Sequence, residues 1–106
     1  MRVLFDQGTP VPLRQALVGH IVSTAYELGW ATLKNGELLR SAEEAGFDVL
    51  VTTDTNLKYQ QNLAARKIAV VVLATTSWPR IRVVAESINS AVNSASIGSY
   101  VEVAVP

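Results

Sequence analysis

The chain contains no cysteine, so disulfide staples and cysteine-ligated zinc are excluded. It has a single histidine, His20, and therefore no two-histidine metal motif. Charged residues make up only 17% of it, and nine Lys plus Arg balance nine Asp plus Glu. No global basic field draws it toward nucleic acid, so any such contact must use a local patch. No apolar run approaches the roughly 20 residues that span a bilayer. The opening Met1-Arg2-Val3-Leu4-Phe5-Asp6 is too short in apolar length for a secretory leader. The expectation is a cytoplasmic protein without membrane contact. No internal repeat, linker or glycine-rich phosphate loop is present, since Gly29, Gly36 and Gly46 fit no GxGxxG spacing.

What is present is apolar material. Hydrophobic residues make up 49% of 106, enough for one sizeable core and too few residues for a second domain. Zero net charge on so apolar a domain also favours self-association, so a homodimer is expected. Short apolar runs alternate with helical periods. Val3 to Phe5, His20 to Thr24, Val49 to Thr53, Ile68 to Leu73 and Tyr100 to Val105 read as strands, the last near an edge. Leu13, Ala16 and Leu17 predict a short helix capped by Thr9 and ended by Gly19. Leu38, Leu39, Ala42 and Ala45 predict a second helix, with Asn35 as its cap. A third begins at Thr55 or Asn56 and contains Leu57 and Leu63. Ile81, Val84, Ala85, Ile88, Ala91 and Val92 give the clearest helical period, after Ser77 and Pro79. The βαβαβαβαβ order predicts one α/β domain over residues 1–106, with about five mainly parallel strands.

Open parallel sheets bind ligands at the carboxyl ends of their strands. Asp6 closes the first strand and Asp54 the third, while Glu37 opens the helix between them. Carboxylates brought together repel, and Mg²⁺ or Mn²⁺ relieves that repulsion. Each acid also has a structural reading. Asp54 lies in Thr52-Thr53-Asp54-Thr55-Asn56, which is rich in capping chemistry, and Glu37 suits a helix dipole. Arg14, Lys34 and Lys58 are candidates to steady phosphate or are ordinary solvated charges. His20 has no orienting partner that would make it a base.

Leu4-Phe5-Asp6, Asn35-Gly36-Glu37-Leu38-Leu39 and Val51-Thr52-Thr53-Asp54-Thr55-Asn56-Leu57 together resemble the small bacterial PIN-like proteins over about residues 2 to 74. That resemblance implies a three-layer α/β/α domain and a ribonuclease dependent on Mg²⁺ or Mn²⁺. It further implies Asp6, Glu37 and Asp54 as catalytic and metal-holding acids, RNA as substrate, and a role as the toxin of a toxin–antitoxin pair. The chain departs from the pattern at Gln7 and Asn35, where that family often has an acid. These neutral residues motivate the alternative of an inactive PIN-like module that binds RNA or a protein. A flavodoxin-like or receiver-like regulatory domain is a third reading, but it would need an acid in place of Gln7 and a lysine within 74–80.

Overall fold

A computed structural model describes residues 1–106. Its five strands are β1 (Arg2–Phe5), β2 (Ile21–Thr24), β3 (Val49–Thr52), β4 (Ala69–Leu73) and β5 (Tyr100–Val103). All pair in parallel in the order β2-β1-β3-β4-β5. The four residues of β3 and the five of β4 are buried without exception, which is why their sequences run apolar rather than alternating. The last strand lies at an edge, as its partly polar text predicts.

Side chains of successive strand residues point to opposite faces. Val3, Phe5, Val49, Val51, Val71 and Leu73 share one cluster with Leu13, Ile81, Ile88 and Val92. Leu4, Leu50, Val70 and Val72 share another with Leu38, Leu39, Ala42, Leu57 and Phe47. Each face of the sheet thus carries its own apolar cluster.

Four α-helical segments connect the strands: α1 (Asn35–Glu44), α2 (Leu57–Gln60), α3 (Trp78–Ile81) and α4 (Ala85–Asn93). The segment before β2 is a 3₁₀ turn over Val11–Ala16. The third predicted helix is a single turn followed by a 3₁₀ turn at Leu63–Ala65. The long apolar period from Ile81 to Val92 is divided by a 3₁₀ turn at Arg82–Val84. Gly19 and Gly46 both adopt positive φ, and Gly46 sits just past α1 as a helix stop.

Two predicted caps are corrected. Lys34 is the N-cap of α1, without a side-chain bond, and Asn35 is already helical. Pro10 precedes the first 3₁₀ turn, and Thr9 caps nothing. Both side chains are diverted to the carboxylates that end β1 and β3. No helix is long and apolar enough to cross a membrane.

Candidate functional site

The strand order sets where a ligand can enter. From β1 the chain moves to one side for β2 and then returns to the other side for β3. Connections on either side of that reversal diverge, opening a crevice beyond the carboxyl ends of β1 and β3. Asp6 and Asp54 follow those two ends.

Asp6 is held from backbone and side chain together. Its N–H donates to the Val51 carbonyl at 3.1 Å, extending the β1–β3 ladder by one residue. Its Oδ2 accepts from the Thr52 hydroxyl at 2.5 Å and its Oδ1 from the Thr9 hydroxyl at 2.6 Å. Both threonines are buried, so the two hydroxyls are fixed where they meet the carboxylate. Hydroxyl donors to an ionised oxygen form short, charge-assisted bonds of this length.

Thr52 also joins the two strand ends. Its Oγ1 accepts from the Asp54 backbone N–H at 3.0 Å while donating to Asp6. The Asp54 carboxylate turns to other partners. Oδ1 accepts from the Asn56 N–H at 2.9 Å, an Asx-type turn, and Oδ2 from Asn35 Nδ2 at 2.6 Å. Asn35 Nδ2 also reaches Gln60 Oε1 at 3.0 Å, so one amide ties the start of α1 to both Asp54 and α2. Gly8 lies against the same rim, where a built Cβ would stand 2.5 Å from Thr53 Oγ1.

Glu37 is exposed in the first turn of α1, and neither a hydrogen bond nor an ion pair links it to Asp6 or Asp54. No group of three or more His, Cys, Asp or Glu side chains stands close enough to hold a metal ion. The phosphate candidates divide likewise. Arg14 pairs with Glu27. Lys58 pairs with Glu102 at 2.8 Å and lies 5.2 Å from the Tyr59 ring centre. Lys34 is exposed at the N-cap of α1.

Beside Asp6 lies a cavity of about 380 Å³, bounded also by Gln7, Thr9, Val11, Thr24, Tyr26 and Glu27. Glu27 is tied down by Arg14 and by the Thr24 N–H at 2.8 Å. The Arg14 guanidinium first, and the Thr24 N–H second, hold its carboxyl below the usual carboxylate range. Thr9, Thr52, Tyr26 and Glu27 were not singled out as site residues from the sequence. A threonine two residues before an aspartate at a strand end is the one sequence signal that could have found Thr52.

The donor chemistry suits Mg²⁺ or Mn²⁺, because such ions are held by one or two carboxylates together with water and substrate phosphate. Asp6 and Asp54 would be those residues. Each ionised oxygen accepts more than one partner, so the present bonds leave capacity for an ion. These features define a parallel α/β domain with an acid at its topological switch point. No protein-family model, no curated protein and no solved structure matches the chain.

Proposed function

We propose that the protein is a ribonuclease of PIN-like type, dependent on Mg²⁺ or Mn²⁺, working at the carboxyl ends of β1 and β3. One observation carries most of this reading: Asp6 sits at the switch point, borders a cavity, and is joined through Thr52 to Asp54. The ion, when bound, would supply an activated water and neutralise charge on the phosphodiester. Asp6 and Asp54 would hold it. Thr9 and Thr52 would keep the Asp6 carboxylate aimed, since each hydroxyl donates to one of its oxygens. Lys34 is the cation available to steady phosphate, whereas Lys58 and Arg14 would first have to leave their carboxylate partners. Glu37, exposed in the first turn of α1, is the third acid of the proposed site. A three-layer arrangement and a partner antitoxin extend the same reading on the likeness of residues 2 to 74 to PIN-like proteins; a homodimer extends it on zero net charge in so apolar a domain, and a cytoplasmic setting completes it.

A second reading has its own observation. Asn35, a neutral amide, occupies Asp54, and no three acids group together. An inactive PIN-like module that binds RNA or a protein at this rim accommodates both facts. The strand order also serves flavodoxin-like sheets, so topology does not choose a function. Gln7 and the absence of lysine from 74–80 weigh against a receiver.

Metal titration separates the first two readings. For the ribonuclease, Mn²⁺ at a hundred times its dissociation constant is expected to stabilise the fold by about 2.7 kcal/mol. Single-stranded RNA is then cut, and Asp6→Asn abolishes both effects. A melting temperature indifferent to Mn²⁺, with intact RNA after incubation of pure protein, leaves the inactive module standing.

A further inference from the structure

The cavity beside Asp6 has a use that the acids do not explain. Its volume, about 380 Å³, falls in the range of small-ligand pockets. Its two carboxylates are already engaged. Asp6 accepts from Thr9 and Thr52, and Glu27 accepts from Arg14 and the Thr24 backbone. Two groups remain uncommitted. The Tyr26 side chain is 76% exposed, and neither its ring nor its hydroxyl has a partner in the chain. The Gln7 amide is likewise exposed and makes no hydrogen bond. An exposed flat ring stacks a heterocycle without regard to its identity, and a glutamine amide offers one donor beside one acceptor. Glutamine pairs in that way with adenine. Val11 adds an apolar wall.

We propose that this cavity is a nucleobase subsite, in which a base of single-stranded RNA stacks on Tyr26 and hydrogen-bonds through its edge to Gln7. The base suits the lining because the two uncommitted groups are a flat ring and an amide, while the Glu27 carboxylate is already paired with Arg14. Phosphate is disfavoured inside the cavity by the Asp6 carboxylate, which has no cationic partner, so the backbone would run along the rim. The inference rests on the reading of this rim as an RNA site, and it holds whether or not the protein cuts.

The test is binding in EDTA, where no cleavage occurs. A fluorescently labelled hexamer of oligoadenylate is titrated with the full chain, followed by fluorescence anisotropy. Tyr26→Ala and Gln7→Ala are each expected to weaken binding about tenfold, while Tyr26→Phe, which keeps the ring, stays near wild type. Both positions are exposed, so the fold is not at stake. Adenosine monophosphate is expected to displace the hexamer, and an abasic hexamer to bind weakly. Equal binding of the abasic hexamer, or no loss in Tyr26→Ala, overturns the proposal. So does a wild-type protein that binds no hexamer at all. Displacement by arginine amide but not by adenosine monophosphate also overturns it, in favour of a cation site for a partner protein. Failure of the ribonuclease reading shows separately, as absent cleavage in Mn²⁺ with base binding intact.

Discussion

Thr52 is the residue on which the site turns. It is 1% exposed, and its hydroxyl both donates to the Asp6 carboxylate and accepts from the Asp54 N–H. Thr52→Val keeps the shape and removes both bonds, leaving a part-buried carboxylate oxygen and an N–H short of partners. The expected cost is about 1–3 kcal/mol in urea unfolding. Thr52→Ser, which retains the hydroxyl, should lose less; the opposite ranking would show that the methyl group matters more than the bonds. Residue identity alone foretold little of this. A threonine in an apolar strand reads as a β-former, and a threonine or asparagine before a helix reads as a cap. Thr9 and Asn35 serve instead as donors, the hydroxyl to Asp6 and the side-chain N–H to Asp54, and a charged acceptor makes such bonds strong. A local window around Thr52 or Asn35 does not contain the acid brought in from 46 or 19 positions away, whereas Thr9 meets Asp6 only 3 positions upstream.

At the scale of the element, strands were legible and helices were legible in part. Runs such as Val49 to Val51 and Ala69 to Leu73 are apolar at every position because both faces are covered. The segment after β3 shows helical periodicity yet folds into a single turn and a 3₁₀ turn, and after β4 a single turn and a 3₁₀ turn precede α4, since spacing reports a buried stripe and says little about continuity. The edge element β5 illustrates what spacing omits. Lys58 is drawn to it from α2, meeting Glu102 and lying 5.8 Å from the Tyr100 ring centre. Burial first, and the hydrogen bond to Glu102 second, push the Tyr100 phenol up to about 12 from 10.0. A raised folded-state value means that the neutral phenol is favoured by folding. This contribution to stability is complete below about pH 10 and is lost as pH rises through about 12. The difference in ultraviolet absorbance between wild type and Tyr100→Phe across that range isolates this phenol, and Glu102→Gln is expected to bring its titration down. An unchanged midpoint in Glu102→Gln would remove the hydrogen bond as a cause. Charge at this edge also discourages pairing with another strand.

Across the whole molecule, order of protection should follow the order of strands. β3 and β4 are covered on both sides and on both faces, whereas β2 and β5 each have one free edge. Hydrogen exchange is therefore expected to be slowest at the amides of Leu50, Val51, Val71 and Val72, and faster along β2 and β5. Protection in β2 equal to that in β3 would contradict a stability gradient centred on the inner strands. The fold class was readable from the alternation of strands and helices. The convergence at the rim was readable only as position, because strand ends place Asp6 and Asp54 without revealing what Glu37 or the lysines reach.

An all-parallel sheet divides labour between its two ends. The segments 6–10, 25–34, 53–56 and 74–77 all leave from the carboxyl ends of strands, and the returning connections enter from the opposite side. Recognition and scaffold are accordingly written in separate stretches of chain. Randomising the exposed positions of the first set should yield a family of proteins with new ligands on an unaltered frame, and Gly8, wedged against Thr53, together with buried Thr9 and Ala25, marks where such freedom stops.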